Sequence, residues 1–190
     1  MWHTNLIVLI AAVLSSAPAF AGSFSISAVY VDKRTYCEGP LERRSDNGIA
    51  LRYRQRLASS RYLIQGEFQS DGGFRYASVS GGRVWKVAEF EVYGGLQFYR
   101  QRSPGLDHGD TGSKLIAGIM HTVGDWSIAM DYLSEDLEGA DPDDAGDFVE
   151  LARYQIGIYR VVTDDVHLGM SISSTSNGGM EYGAGVRFRW

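Results

Sequence analysis

The sequence predicts an all-β fold, a closed antiparallel up-and-down transmembrane β-barrel of ten strands. Three observations predict it: ten segments in which apolar and polar residues alternate, a division of the connections into short and long ones, and aromatic residues near the segment ends. Successive side chains of a strand point to opposite faces, so alternation indicates a sheet with different surroundings on its two sides. The predicted strands are residues 23–34, 48–57, 61–70, 74–84, 88–100, 114–123, 126–133, 148–162, 166–175 and 180–190.

The lengths of the connections indicate which rim of the barrel is external. Those at 58–60, 85–87, 124–125 and 163–165 are short, whereas those at 35–47, 101–113 and 134–147 are long. All long connections fall on one rim, as in membrane barrels with short periplasmic turns and longer external loops. Most strands run to about ten residues, the length that a tilted transmembrane strand needs. An even number of strands leaves both chain ends on the periplasmic side.

Segment 114–123 is the weakest of the predicted strands because both of its faces are apolar. The two competing sets are Leu115, Ala117 and Ile119 on one face, and Ile116, Gly118 and Met120 on the other. If weak segments merge or drop out, eight strands is the alternative.

Aromatic residues near the strand ends favour a membrane over an aqueous surrounding, because membrane barrels carry aromatic girdles at both interfaces. These residues are Tyr30, Tyr53, Tyr62, Phe68, Phe90, Phe98, Trp126, Tyr132, Tyr154, Tyr182 and Trp190. The opposite faces carry Arg, Glu, Gln, Gly and Ser. A soluble periplasmic lipocalin-like barrel, with its apolar set turned inward, stays as an alternative.

The first 21 residues read as a secretory signal peptide, which leaves residues 22–190 as the barrel domain. Residues 1–21 hold no Lys, Arg, Asp or Glu, and their apolar run 6–14 is too short to span a membrane as a helix, which takes roughly 20 residues. Ala19 and Ala21 form an A-x-A cleavage pattern before Gly22. The segment before the apolar run departs from the usual pattern because it lacks Lys and Arg.

The last strand alternates between an apolar and a polar or small face. The apolar face, which we interpret as an insertion signal, consists of Tyr182, Ala184, Val186, Phe188 and Trp190. This stretch resembles the terminal targeting strand of bacterial outer-membrane β-barrels, in which a final aromatic residue is read during insertion. The resemblance is to small Gram-negative outer-membrane barrel proteins as an architecture, not to one family. It implies an outer-membrane location, with the barrel-insertion machinery, outer-membrane lipid and lipopolysaccharide as partners.

Composition excludes other classes of protein. The net charge of −5 argues against nucleic acid as a partner. No segment after residue 21 approaches 18 consecutive apolar residues, which excludes a helical membrane protein. The single cysteine, Cys37, cannot form an internal disulfide and is expected to be a free thiol in a loop, with an intermolecular disulfide as the alternative.

Charged residues on the polar faces predict a lumen filled by an ion-pair network. Its members are Arg52, Arg54, Arg56, Glu67, Glu89, Glu91, Asp131, Arg153, Arg187 and Arg189. Unpaired charges in a narrow lumen would be costly, so these groups should pair or keep water. Open aqueous channels need about 16 strands. We therefore expect a plugged barrel, with a narrow charge-selective porin-like channel as the alternative.

The loop at 134–147 holds seven acidic residues and no basic one. They are Glu135, Asp136, Glu138, Asp141, Asp143, Asp144 and Asp147, a possible cation-binding loop whose carboxylates suit Ca²⁺ or divalent ions shared with lipopolysaccharide phosphates. It does not fit an EF-hand, because Ala145 and Ala152 occupy ligand positions counted from Asp141. A solvated external loop is the expectation, and no resident metal or cofactor is predicted.

Two classes of barrel enzyme match the sequence poorly. Omptin-like proteases need spaced Asp and His pairs, whereas residues 107–108 and 143–144 are adjacent Asp-His and Asp-Asp pairs. Lipid A deacylases carry His-x-Ser-Asn, but Ser174 stands where the base should be, and His167 is too far along the strand from Ser176. His121 and His167 are expected to be lumen or interface histidines.

The sequence therefore predicts a non-enzymatic outer-membrane barrel with a structural or surface-interaction role. Its contact surfaces would be the loops at 35–47, 101–113 and 134–147, since rigid scaffolds commonly place function on loops. A narrow channel, an outer-membrane lipid- or peptide-hydrolysing enzyme and a soluble barrel are the alternatives. The oligomeric state is left open.

Overall fold

A computed structural model describes residues 22–35, 42–57, 61–72, 74–102, 110–134, 152–175 and 179–190. The predicted signal peptide and Cys37 lie outside these ranges, so both assignments stay predictions. No helix in the described ranges has the length and apolar character needed to cross a membrane.

Ten strands form a single antiparallel sheet that closes on itself, which confirms the predicted fold class and the strand number of ten rather than eight. The strands are β1 (Gly22–Thr35), β2 (Glu42–Arg56), β3 (Tyr62–Asp71), β4 (Phe74–Val87), β5 (Phe90–Arg102), β6 (Asp110–Val123), β7 (Trp126–Leu133), β8 (Arg153–Thr163), β9 (Val166–Thr175) and β10 (Met180–Arg189). Each strand pairs with its neighbours in sequence, and β1 pairs with β10 to close the barrel.

The closing pair runs in continuous register from Ser23 opposite Arg189 to Asp32 opposite Met180. Because the last strand is bonded on both sides, the sheet has no unpaired edge on which another chain could add a strand. The register places Gly185 opposite Ser27, where a Cβ atom would collide with the β1 backbone. A glycine here therefore allows the two strands to approach closely.

The apolar set faces outward and the polar set faces the lumen. On β9, Leu168 is 51% exposed and Met170 is 70% exposed, while His167 and Ser171, which flank this pair, are buried. This orientation is the reverse of a soluble lipocalin-like barrel, whose apolar residues line the interior. It is the arrangement expected for a wall with lipid outside.

Aromatic residues form two belts around the outer face of the wall. Towards the rim opposite the chain ends, Tyr30 packs on Tyr182 with ring centroids 6.4 Å apart, and Tyr132 packs on Tyr154 at 5.0 Å. The belt near the chain ends includes Tyr53, Trp85, Phe90, Trp126 and Trp190.

The height of the apolar band can be read along β5, whose outward residues Phe90 and Phe98 are eight residues apart. At about 3.4 Å per residue and a tilt of about 40°, they are separated by about 21 Å of height. Membrane barrels carry an apolar band about 25 Å tall. The band on β5 therefore matches the hydrocarbon thickness of an outer membrane.

On β6, the structure turns Leu115 and Ala117 outward and Ile116 and Gly118 inward. The inward position of Gly118 has a packing reason, because a Cβ atom there would collide with the Tyr93 ring that crosses the lumen. The ambiguity of the two apolar faces is thus resolved by the volume of a neighbouring side chain.

Several strands extend beyond the predicted bounds on the rim opposite the chain ends. β2 begins at Glu42 instead of residue 48, in register with β1 up to Thr35 opposite Glu42, and β6 begins at Asp110 instead of residue 114. These extensions lie above the apolar band, where both faces of a strand meet polar surroundings and alternation is lost. The predicted loops at 35–47 and 101–113 are shorter for this reason. On the other rim, β4 continues through Val87, so the turn is Ala88–Glu89 rather than 85–87.

Candidate functional site

The barrel lumen is the candidate site because most of the charged and amide side chains of the strands converge there. Strand β2 contributes Arg52, Arg54 and Arg56, which share one face and lie at successive heights. The register pairs Arg52 with Glu67 and Arg54 with Gln65 on β3. Alternation places these side chains on the lumen face, and the register puts an arginine and an acceptor at the same level.

An ion pair spans the middle of the lumen. Arg153 on β8 donates from Nη2 to Glu67 Oε2 at 2.6 Å, and Arg52 donates from Nε to Glu67 Oε1 at 3.0 Å. The strands β3 and β8 are five positions apart around the ten-stranded barrel, which makes them diametrically opposite. The Arg153–Glu67 contact therefore joins two opposite walls of the barrel.

The same network continues towards the outer rim through Glu181 on β10. Glu181 accepts from Arg52 Nη2 at 3.3 Å and from Gln69 Nε2 at 2.9 Å, and Gln69 Nε2 also donates to Asp71 at 2.8 Å. The Gln155 carboxamide, oriented with its oxygen towards Arg52, accepts from both terminal nitrogens at 3.1 Å. Each of these groups thus has a partner of complementary charge or polarity.

A second ion pair crosses the lumen nearer the chain ends. Arg54 Nη2 lies 3.4 Å from Asp131 Oδ1 and 2.9 Å from the Tyr93 hydroxyl, and Arg54 also contacts Met120. Strands β2 and β7 are again diametrically opposite. The Arg54 guanidinium stands 5.0 Å from the centroid of the Tyr93 ring. Below this level Tyr93 packs with Leu63, Val84 and Ile116 as a buried apolar cluster.

Aromatic and amide side chains fill the lumen towards the outer rim. Tyr76 and Tyr99 are stacked with centroids 6.0 Å apart, and the Tyr76 hydroxyl donates to Gln97 Oε1 at 2.9 Å. Lys114 is only 1% exposed and lies 5.5 Å from the centre of the Tyr99 ring. Arg153 lies 5.8 Å from the centre of the Tyr76 ring, so the tyrosine layer packs against the central ion pair.

The structure brings six members of the predicted charge network into the two lumen layers and places four elsewhere or in other contacts. The six are Arg52, Arg54, Glu67, Asp131, Arg153 and, through its ring contact, Arg187. Arg56 pairs with Glu91 at 2.7 Å, but both are partly exposed at the rim. Glu89 belongs to the β4–β5 turn and its side chain is 84% exposed, so the structure places it outside the lumen. Arg189 is exposed near the same rim.

Arg187 does not form the ion pair that its place in the predicted charge network implies. Its guanidinium lies over the Tyr159 ring, 3.4 Å from the ring centroid, and no carboxylate among the described residues forms an ion pair with it. Tyr159 sits over Gly157 and Gly169, where a Cβ atom would meet its ring. The two glycines therefore make the space that the ring and the arginine share.

The predicted charge network did not include Glu181, and sequence reasoning did not assign the tyrosines Tyr76, Tyr93 and Tyr159 to the lumen. Glu181 had a signal, because it alternates on the same face as Arg187. Tyr76, Tyr93 and Tyr159 carried none, because a tyrosine is equally common in a membrane girdle and only the strand register assigns it to the lumen face.

Between the two ion pairs lies a cavity of about 70 Å³. Its lining includes the charged groups of both layers, Arg187 and the hydroxyls of Ser23, Ser25, Ser78 and Ser80. Such a volume holds a few water molecules bound to polar groups.

The residues weighed for catalysis do not converge in the described part of the chain. His167 is buried against the lumen wall, and its Nδ1 has no partner among the described residues. His121 faces outward at the rim near the chain ends, where it packs on Phe90 at 4.5 Å and its Nδ1 lies 3.2 Å from the Glu89 carbonyl oxygen. Within the described ranges no three His, Cys, Asp or Glu side chains form a metal-binding group.

Other predicted sites lie outside the described residues or are not tested. The acidic loop at 135–147, the pair at 107–108 and the Ser-Asn pair at 176–177 all fall outside. Of the predicted insertion signal, Tyr182, Ala184 and Phe188 point outward to the lipid side, Val186 is half-buried, and Trp190 stacks on Tyr53. The role of this face in insertion stays a prediction.

Solved structures with a similar architecture include outer-membrane barrels. The KdgM porin in complex with disordered oligogalacturonate aligns with a TM-score of 0.50 and 13% identity, covering 88% of this chain and 99% of that one. The outer membrane phospholipase A from Escherichia coli aligns with a TM-score of 0.44 and 11% identity over 87% and 89% of the two chains. Ail, the attachment invasion locus protein of Yersinia pestis, gives 0.37 and 16% over 90% and 99%.

No family model and no curated protein matches the sequence. At such low identities a structural likeness shows the fold alone. The chain therefore has the fold of a transmembrane β-barrel, and its activity must be argued from its own residues.

Proposed function

We propose that this protein is exported to the outer membrane of a Gram-negative bacterium, where it is a barrel closed to solute flow that acts through its outer rim. The observation that carries this proposal is the pair of cross-lumen ion pairs. The Arg153–Glu67 pair and the Arg54–Asp131 pair each join two strands on opposite sides of the barrel.

The physical support is that the lumen groups satisfy one another. A charge buried without a partner costs several kcal/mol, whereas a paired and hydrogen-bonded one is tolerated. Glu67 and Glu181 each accept from two donors, and Arg52 donates to both. To open a path, several of these contacts must break together. A lumen of this kind holds opposite walls in register instead of admitting solutes.

The surface role follows from the topology. The connections between β1 and β2, β5 and β6, and β7 and β8 all leave from the rim opposite the chain ends. A rigid closed barrel is a platform that presents such connections outside the cell. The work of the protein is then contact with lipid or other molecules at that rim.

Solute efflux from proteoliposomes tests the proposal. Vesicles containing the folded wild-type protein should release small neutral sugars and small anions no faster than protein-free vesicles. A quadruple variant, in which Glu67, Arg153, Arg54 and Asp131 are each changed to Ser, removes both cross-lumen ion pairs. Vesicles containing this variant should release the sugars and anions faster. Size-limited efflux through the wild-type protein would show that the barrel is a pore.

A narrow channel is the second candidate, and the composition of the cavity lining favours one selectivity for it. Arg52, Arg54, Arg153 and Arg187 line the cavity against the carboxylates of Glu67 and Asp131. The excess of positive charge favours anions over cations. If the protein conducts ions, its reversal potential in a salt gradient should therefore lie towards the equilibrium potential of the anion.

A further inference from the structure

Three arginines on neighbouring strands point away from the lumen near the outer rim. They are Arg75 on β4 and Arg100 and Arg102 on β5, and all three are exposed. Arg75 stands directly opposite Arg102 in the strand register, and Arg100 stands opposite Ala77. Arg75 and Arg100 are therefore diagonal neighbours, and we call these three residues the outer arginine patch.

The patch lies immediately above the apolar band. Val79 and Phe98 are opposite each other in the same pair of strands and are 54% and 58% exposed. Arg100 and Arg102 follow Phe98 by two and four residues on the same face of β5. With the rise and tilt used above, they stand about 5 and about 10 Å higher than Phe98. That is the level of lipid headgroups.

The described part of the chain supplies no counter-charge to the patch. None of the three arginines forms an ion pair or a ring contact with the described residues. Like charges directly opposite each other across two strands are destabilising. The outward arginines of the other rim differ, because Arg83 lies 5.8 Å from the Trp85 ring and Arg160 lies 5.7 Å from the Trp126 ring. The patch thus presents cations that an external anion can neutralise.

The residues beside the patch complete a set of donors for phosphate. The register places Ser70 on β3 opposite Arg75, and Thr111 on β6 opposite Arg100. Guanidinium groups bind phosphate through two parallel hydrogen bonds, and hydroxyls can add single ones. Three cations and two hydroxyls on adjacent strands suit a phosphate monoester, with its three terminal oxygens, better than a carboxylate with its two oxygens.

We propose that the outer arginine patch docks the phosphate groups of lipopolysaccharide in the outer leaflet, with the acyl chains of the lipid against the apolar wall below. The wall there is formed by Val79, Leu96, Phe98 and Leu115, each of them exposed. This combination of cations above an apolar surface distinguishes a phosphorylated lipid from free phosphate. The inference rests on the proposed outer-membrane location and names the lipid that the outer rim binds there.

Binding of purified rough lipopolysaccharide to the full-length mature chain, folded in detergent micelles, tests this inference. The triple variant Arg75→Gln, Arg100→Gln and Arg102→Gln should bind at least about tenfold more weakly than wild type, because charge-assisted contacts to phosphate are lost. The matched control, Arg83→Gln with Arg160→Gln, removes outward arginines from the other rim and should bind like wild type. Dephosphorylated lipopolysaccharide should bind both wild type and the triple variant weakly.

Three results would overturn the inference. The first is equal affinity of the triple variant and wild type for lipopolysaccharide. The second is competition by inorganic phosphate at the concentration of the lipid, which would make the site one for a free anion. The third is a lower melting temperature of the triple variant than of the control in lipid-free detergent, which would mean that the arginines serve contacts within the protein.

The failure of the inference can be told from the failure of the proposed function by gel migration. A folded barrel migrates differently in detergent gels before and after heating, and both variants should keep this behaviour. If wild type shows it and binds lipopolysaccharide but the triple variant binds equally well, only the patch assignment fails. If wild type never shows it, the barrel and its location fail together.

Discussion

Arginines on the two faces of the same wall have opposite surroundings. In the lumen, Arg52, Arg54 and Arg153 each lie within 3.5 Å of a carboxylate oxygen from another strand. On the outer face, Arg75 and Arg102 stand opposite each other with no ion pair in the described ranges. The same residue type is therefore ion-paired inside the lumen and has no ion pair within the described ranges on the outer face.

The difference follows from how easily water can reach each group. A lumen charge is desolvated, so it is tolerated only with a fixed partner, and that partner is supplied by the fold. A charge at the headgroup level is solvated and needs no partner to fold. The carboxylate partners of the lumen arginines thus indicate a structural role. The outer-face arginines have no such partner in the described ranges, which is consistent with binding an external ligand.

The largest effect should come from removing the acid that two lumen arginines share. Glu67→Gln removes the carboxylate that forms an ion pair with Arg153, and it removes one of the two carboxylates that Arg52 contacts. Breaking a buried ion pair by removing one partner costs about 3–5 kcal/mol. The free energy of unfolding, measured by denaturant titration of the folded protein in detergent, should fall by this amount.

The matched control is Glu91→Gln, whose pair with Arg56 is 2.7 Å long but lies at the rim, where the two side chains are 35% and 40% exposed. Solvent-exposed pairs contribute about 0–1 kcal/mol, so this variant should stay within that range of wild type. Equal losses in the two variants would contradict the contrast between lumen and rim.

A pair of glycines sharpens the same contrast without changing charge. A methyl group at Gly118 would collide with the Tyr93 ring and lie 2.7 Å from Asp131 Oδ1, whereas nothing lies within 4 Å of one at Gly81 on the outer face. Gly118→Ala should lower the free energy of unfolding by about 1–3 kcal/mol, because overpacking displaces the Tyr93 ring that hydrogen-bonds Arg54. Gly81→Ala should be neutral within about 0.5 kcal/mol. A destabilised Gly81→Ala variant beside an unaffected Gly118→Ala variant would reverse the assignment of faces.

A double-mutant cycle measures how strongly the opposite walls are coupled. Arg153→Met alone leaves Glu67 paired with Arg52. Glu67→Gln alone leaves the buried Arg153 cation without its ion-pair partner, and the double variant removes that cation. The losses should be less than additive, with a coupling energy of up to about 3 kcal/mol. Additive losses would mean that the pair across the diameter does not hold the walls together.

The sequence predicted the fold well because lipid and lumen impose opposite chemistry on alternate residues. Strand β8 is an example. Its outward residues include Tyr154, Ile156 and Ile158, and its inward residues include Arg153 and Gln155, so alternation alone assigns the face of each residue. Where a strand leaves the membrane, this constraint ends. The start of β2 at Glu42 could not be read for that reason, because only backbone pairing with β1 specifies it.

Partners in the lumen could be predicted only in part. Alternation gives the face of a residue, and register gives its height, but the contacts across the lumen depend on how the closed sheet is staggered. Arg153 and Glu67 are 86 residues apart and meet only because β3 and β8 lie opposite each other. Arg187 was expected to face a carboxylate, and it lies instead on Tyr159, whose position is set by two glycines.

Single-channel recording in planar bilayers is the most direct test of the closed lumen, because a small inorganic ion is the least demanding probe of an open path. The folded wild-type protein should insert without producing unitary current steps in salts of either large or small anions. The quadruple serine variant, which lacks the Arg153–Glu67 and Arg54–Asp131 pairs, should produce unitary current steps. Current steps of constant amplitude from the wild-type protein would contradict a lumen closed by ion pairs across its diameter.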